Sequence, residues 1–230
     1  MNEFLHNSVF FGVMLSLVTY EAGVALRKKF PLAIMNPLLI SILAVILFLV
    51  AFHIDYDTYN AGAKYLSYFL TPATVCLAVP LYEQFELLKR HIWAILAGIL
   101  SGAVTSAVCV LVMSMVLGLS HTEYVTLLPK SITTAIGMGV SEELGGIVTI
   151  TVAVIIITGV IGNILAEFIC RAFRIEERIA KGIAIGSSAH AVGTARAMEI
   201  GEVEGAMSSL SIAVSGLITV FLASIFANFY

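Results

Sequence analysis

Residues 182–210 read GIAIGSSAHAVGTARAMEIGEVEGAMSSL and place His190, Arg196, Glu199, Glu202 and Glu204 inside a chain otherwise built to dissolve in lipid. An ionisable side chain at bilayer depth costs from about 2.5 to more than 10 kcal/mol, so such groups persist there mainly where they line a pathway or hold a ligand. The rest of the chain sets that depth: 60% of its 230 residues are hydrophobic and 12% are charged, against roughly 45–50% and 25% in soluble domains. Backbone polar groups in lipid must be satisfied within the structure. The expected fold is therefore all-α, a polytopic transmembrane helical bundle forming a single transmembrane domain over residues 1–230.

A spanning helix needs about 20 mostly apolar residues, and 4–26, 32–52, 92–117, 147–173 and 206–229 supply them without interruption. The first has no basic stretch before it and no small-residue cleavage site after it, so it is expected to be retained as a helix and not removed as a signal. A formal net charge of −3 offers no broad basic surface and argues against nucleic acid as a partner. Cys76, Cys109 and Cys170 are scattered on apolar segments without CxxC or Cys/His spacing. They read as small packing residues, and no metal or cofactor is expected.

Between the clear spans lie three segments of membrane length, 65–84, 124–144 and 182–201, interrupted by Pro or Gly and carrying Thr, Ser and charge. Pro72, Pro80 and Pro129 are expected to break helices, because proline removes a backbone donor and clashes with the preceding turn. Broken backbone at membrane depth is tolerated only where protein or a watery cavity surrounds it, so all three segments are expected to be interior, discontinuous or re-entrant. Arg27-Lys28-Lys29, Lys89-Arg90 and the run Arg171, Arg174, Arg178, Lys181 should share the cytoplasmic side. That constraint makes 124–144 return to the side it entered from. It also makes 32–117 and 147–229 two halves of opposite orientation, the inverted-repeat layout of many secondary transporters. A competing alignment pairs the stretch from Leu70 to Thr74 with that from Leu128 to Ser131.

Two stretches carry candidate chemistry. Around Pro129, Lys130 and the hydroxyls of Ser131, Thr133 and Thr134 form a candidate anion cradle at a resuming helix start; the bland alternative has Lys130 reaching for the interface and the hydroxyls bonding back to the preceding turn. In the second, Ser188, His190, Gly193, Thr194 and Arg196 fall within nine positions. Arg196 would grip a carboxylate, His190 would relay a proton or donate a hydrogen bond, and Gly186 and Gly193 would admit a close ligand. Alternatively, Arg196 pairs with Glu199 or Glu202 and His190 serves a buried carbonyl. Glu199 and Glu202, with His190, are candidate coupling groups, although they and Glu204 also suit a solvated turn. Ser188 and His190 face different directions on a helix and no acid orients them, so an enzyme is not expected. Asn36-Pro37 reads as a capped helix start.

The chain resembles the LrgB/CidB family of antiholin-like membrane proteins in Asn36-Pro37-Leu38-Leu39, Pro72-Ala73-Thr74, Ala78-Val79-Pro80-Leu81-Tyr82, Leu128-Pro129-Lys130-Ser131-Ile132-Thr133-Thr134, and Ser188-Ala189-His190-Ala191-Val192-Gly193-Thr194-Ala195-Arg196 with Glu199 and Glu204-Gly205-Ala206. One departure is Gly137 to Gly139 followed by Ser141-Glu142-Glu143. The resemblance implies one of two functions at the cell membrane. One is regulation of a small holin-like LrgA/CidA partner in murein hydrolase export and lysis; the other is carriage of small carboxylates, as in plastid relatives that exchange glycolate and glycerate. A holin-type pore needs little beyond oligomerising amphipathic helices, whereas this chain has broken polar segments with two cations among them. The leading expectation is therefore a secondary transporter of a small monocarboxylate (glycolate, glycerate, lactate or pyruvate), with proton coupling through His190, and the regulator is the alternative. A homodimer is the expected assembly, and the small-residue face of 92–117 is its candidate interface.

Overall fold

The computed structural model describes residues 8–30 and 35–230, and within them all regular structure is helical. The starts of the expected spans 4–26 and 32–52 lie outside the described residues. Among the described residues four helices are long and apolar enough to cross a membrane: Phe10–Lys29, Phe85–Leu117, Val148–Ala172 and Glu202–Phe229, with Pro37–Ala51 a shorter apolar helix. The chain divides into two compact units, Met1–Cys76 and Leu77–Tyr230.

In the first unit, α1 (Val9–Lys29) packs on α2 (Pro37–Ala51) and α3 (Tyr56–Ala63). Asn36 caps α2, its side chain accepting from the N–H of Leu38 at 2.9 Å and of Leu39 at 3.3 Å, with Pro37 in the first turn where its missing N–H matters least. Gly12 lets the backbone of Tyr59 and Ala63 approach α1. Ser16 meets the Tyr59 hydroxyl at 2.7 Å and Thr19 meets Ser41 at 2.9 Å.

A 3-10 stretch, Lys64–Phe69, leads into α4 (Leu70–Glu83). The breaks expected at Pro72 and Pro80 do not occur, since α4 runs through both. Pro72 falls in its first turn, where no intrahelical partner is lost. The irregular backbone comes later, at Gln84 (φ −98°, ψ 18°) and His91 (φ −118°, ψ 17°).

The second unit has three long helices, α5 (Phe85–Leu117), α8 (Val148–Ala172) and α10 (Glu202–Phe226). At 1.5 Å per residue, the 33 residues of α5 reach about 50 Å, beyond the roughly 30 Å hydrocarbon core. Its buried face, Ile95, Ile99, Ala103, Ala107, Val110 and Ser114, follows one helical stripe. Toward the end carrying Lys89, Ile95 and Ile99 pack with Ile183, Ala206 and Met207. At the other end Val110 packs with Tyr124, Val125, Leu128, Ile132 and Ala223.

Two hairpins fill the space between these spans. The first is α6 (His121–Leu127) and α7 (Thr134–Glu143), joined by residues 128–133 that include Pro129. Neither helix is long enough to cross a membrane alone, and together they occupy the stretch expected to be re-entrant. Ser120 opens α6 with a capping box to Glu123. The base is stitched to the start of α8: the Ile147 N–H donates to Thr126 Oγ1 (2.8 Å), while the Thr151 hydroxyl lies 2.9 Å from the Thr126 carbonyl and 2.7 Å from Ser141 Oγ.

The second hairpin is α9 (Arg178–Ile200), which folds back on itself at His190 (φ 42°, ψ −140°). In an unbroken helix residues 185 and 193 would stand about 12 Å apart along the axis. Here a Cβ on Gly193 would lie 3.1 Å from Ile185 Cγ2 and 3.2 Å from its carbonyl oxygen, and Ile185 and Ala197 share one buried cluster. The outgoing limb meets α10 through Gly182 at Glu204 and Gly186 at Ser208; the returning limb meets the same stretch through Met198 at Gly205. The second unit thus runs span, hairpin, span, hairpin, span. On the expectation that the basic clusters at Lys89-Arg90 and Arg171 to Lys181 face the cytoplasm, the α6–α7 hairpin is called the outer one and α9 the inner one.

Candidate functional site

The two hairpin tips approach the same stretch of α5. On the inner tip Ser187 packs over Gly102, whose Cβ would stand 3.0 Å from Ser187 Oγ. One turn further along α5, Ser106 Oγ lies 3.1 Å from Ser131 Oγ on the outer tip. Ala103, Ser106 and Ala107 of α5, Leu128 and Ser131 of the outer hairpin, Ser187 of the inner hairpin and Thr219, Leu222 and Ala223 of α10 enclose one narrow crevice. Its walls are small or apolar and its polar groups are hydroxyls.

Lys130 lies beside the crevice residue Ser131 and does not itself line the crevice. Its half-buried side chain donates from Nζ to Ser131 Oγ at 2.9 Å, and among the described residues no carboxylate pairs with it. Thr133 and Thr134 do not join it: Thr133 is the N-cap of α7 without a side-chain capping bond, and Thr134 begins the helix.

On the inner hairpin the predicted residues separate. His190, 4% exposed, sits at the reversal, and its Nε2–H donates to the Ile155 carbonyl of α8 at 2.9 Å. Gly159 makes room for the ring, because a Cβ there would lie 2.6 Å from His190 Cε1. Thr194 is fully buried; its hydroxyl lies 3.0 Å from the His190 carbonyl and 2.7 Å from Ser208 Oγ. Gly193 and Gly186 have protein neighbours, Ala189 with Ile185 and Ser208 respectively, so their role here is close helix packing. Ser188 is exposed and donates back to the Ala184 carbonyl at 2.6 Å, whereas Ser187 is the serine that lines the crevice.

Arg196 lies six residues down the returning limb and is ion-paired with Glu167 of α8 and Glu199. Glu167 also receives Arg171 at 3.0 Å. The structure therefore does not bring Arg196 and Lys130 into one cradle: one closes the base of the inner hairpin and the other stands at the tip of the outer one. Glu199 and Glu202 are exposed near the turn at Gly201, while Glu204 is buried.

Ser106, Ser187 and Thr219 are the crevice residues that sequence reasoning missed. Ser106 and Thr219 sit on continuous apolar spans, where a lone hydroxyl reads as a packing residue. For Ser187 the signal was available, since it continues the buried stripe of Ile183 while Ser188 points away.

The comparisons with known proteins cover nearly the whole chain. The model of the LrgB-like family matches residues 16–229. Relatives described as antiholin-like protein LrgB include one from Bacillus mycoides, 38% identical over 221 residues, and ones from Bacillus cereus and Bacillus anthracis, each 37% identical over 221 residues; in every case 96% of both chains is covered. No solved structure matches the chain. Full-length similarity of this kind, on an all-helical bundle with long apolar helices and the expected motifs, places the chain in the LrgB-like family.

Proposed function

We propose that this chain works at the cell membrane as an antiholin-like protein, restraining a small holin-like membrane partner of the LrgA/CidA kind. The observation that carries this reading is the likeness to antiholin-like relatives over 96% of both chains. The test is reconstitution of the holin-like partner in dye-loaded vesicles with and without this chain. Restraint predicts stable co-purification and slower leakage when this chain is present; equal leakage and no association sink the reading.

A second reading is favoured by a different observation, the meeting of two opposed hairpins beside a cation that no carboxylate neutralises among the described residues. Secondary transport of a small monocarboxylate (glycolate, glycerate, lactate or pyruvate) needs an interior site reachable from either side. Such a pair of tips would provide one, with the repeat halves 32–117 and 147–229 moving against each other around the segment 124–144. Lys130 and Ser131 would face the anion, and His190 would couple a proton. Arg196, already paired with two carboxylates, would hold the inner hairpin closed. Saturable uptake of labelled lactate by proteoliposomes containing only this chain is the expected result, and absence of any flux from folded protein removes this reading.

A further inference from the structure

We infer that the cavity where α8 hands over to α9 seats the phosphodiester headgroup of one anionic membrane phospholipid, with Arg174 and Lys181 as its charge partners. The inference is independent of both readings above, because the cavity lies at the base of the inner hairpin and not at its tip.

The cavity measures about 250 Å3. Cys170, Ile175 and Ile200 form its apolar part, while Arg171, Arg174 and Lys181 face Glu167 and Glu176 across it. Local structure explains how an arginine comes to stand there. α8 ends in a cap closed by the Ile175 N–H on the Cys170 carbonyl (2.8 Å) and the Arg174 N–H on the Arg171 carbonyl (3.1 Å). That cap holds Arg174 in the left-handed region, at φ 54°, where glycine is the usual residue because a side chain is strained. Arginine makes the cap less stable than glycine would, yet it puts a guanidinium on the cavity wall.

The charges on the walls are unevenly matched. Glu167 is held on both oxygens, by Arg171 at 3.0 Å and by Arg196. Among the described residues Arg174, Glu176 and Lys181 form no ion pair. Three cations against two carboxylates leave the walls one positive charge in excess, which suits a monoanionic phosphodiester better than a zwitterion. The cytoplasmic bias of basic residues, and their fit to a helix C-terminus, account for cations at this end. Neither accounts for a cavity with three of them on its walls.

A membrane lipid fits better than a soluble phosphate. At 1.5 Å per residue the 25 residues of α8 reach about 37 Å, against a hydrocarbon core of roughly 30 Å. The last turn and its cap therefore stand at headgroup depth. On the same end of α8, Leu165, Phe168, Ile169 and Phe173 are exposed, the two phenylalanines by 69% and 76%. Acyl chains can lie along that apolar flank while the phosphate reaches the cations, as in basic pockets on cytoplasmic membrane faces. A soluble phosphate would make the same polar contacts and leave the flank bare.

The full-length protein in detergent, given phosphatidylglycerol or phosphatidylcholine, can be followed by native mass spectrometry and thermal unfolding. One phosphatidylglycerol per chain is expected to be retained, about fivefold or more in preference to phosphatidylcholine, and to raise the melting temperature. Arg174→Gly combined with Lys181→Gln should weaken that retention by about tenfold. Arg174→Gly alone removes charge and relieves the strained cap. It should melt no lower than wild type in phosphatidylcholine while losing part of the shift that phosphatidylglycerol gives. Arg90→Gln, a basic residue outside the cavity, should retain the lipid as wild type does. Equal retention of the two lipids, wild-type retention by the folded double variant, or an equal loss with Arg90→Gln overturns the inference. Inorganic phosphate should fail to displace the lipid; displacement by phosphate alone would make a free phosphate the occupant and overturn the lipid assignment.

Discussion

Arg196 and His190 stand only six positions apart, yet they do different work. The guanidinium of Arg196 ties the returning limb of α9 to Glu167 of α8, so its removal unties that limb and leaves Arg171 as the cation on Glu167. Arg196→Ala is expected to destabilise the protein by about 1–2 kcal/mol, between the values for exposed and buried pairs, and a concurrent Glu167→Gln should recover part of that. Thermal unfolding in detergent checks both, and full stability of the single variant would contradict the structural role. Packing at the reversal is equally specific. Gly159→Ala forces a methyl to within 2.6 Å of the His190 ring and should cost about 1–3 kcal/mol. Gly139→Ala meets nothing within 4 Å and should be neutral or stabilising, since alanine favours a helix over glycine by about 1 kcal/mol. Equal effects of the two would show that the crowding at His190 is not real.

At the scale of elements, the inner hairpin turns on a non-glycine residue with φ of +42°, a conformation that costs L-residues of order 1–3 kcal/mol unless the surroundings hold it. His190→Gly loses the bond to Ile155 but relieves that strain, whereas His190→Ala loses the bond and keeps the strain. Glycine is therefore expected to be the milder substitution, the reverse of the order in an ordinary helix interior. Comparison of the two melting temperatures checks it, and a more stable alanine variant would mean that α9 is straight. The outer hairpin begins with the Ser120–Glu123 capping box, whose hydrogen bonds hold the Glu123 carboxyl below its ordinary value. A depressed pKa contributes stability above the unfolded value and loses it as pH falls through the folded one. The difference in stability between wild type and Ser120→Ala should accordingly narrow as the medium is acidified into that range. Both hairpins were legible as interior segments because polar and charged residues interrupt apolar runs there. Their turning points were less so: a proline marks the outer link, but two other prolines lie inside a continuous α4, and the inner turn is a histidine between alanines. What permits that turn is tertiary, namely the room left by Gly159, Gly162, Gly186 and Gly193, which local rules do not see.

For the whole molecule, the order of elements in the second unit matters more than any single motif: spans alternate with hairpins that enter from opposite ends and meet at one crevice. The all-helical membrane architecture and the family were legible in composition and motif order. The partition of the candidate site was not, because Lys130 and Arg196 each read locally as a cation for the anion, while the fold-back of α9 carries Arg196 away from the tip and into an ion pair with Glu167. That fold-back also has a consequence for sidedness in a membrane. A straight α9 would put residues 178 and 202 on opposite faces of the membrane, whereas a hairpin keeps them on one. With Cys76, Cys109 and Cys170 replaced, Arg178→Cys, Glu202→Cys and Glu142→Cys, all at exposed positions, can be labelled with a membrane-impermeant thiol reagent in sealed vesicles of known orientation. Labelling of 178 and 202 from the cytoplasmic face together, and of 142 from the other face alone, is the predicted result. Labelling of 178 and 202 from opposite faces would contradict the opposed hairpins and the crevice built between them.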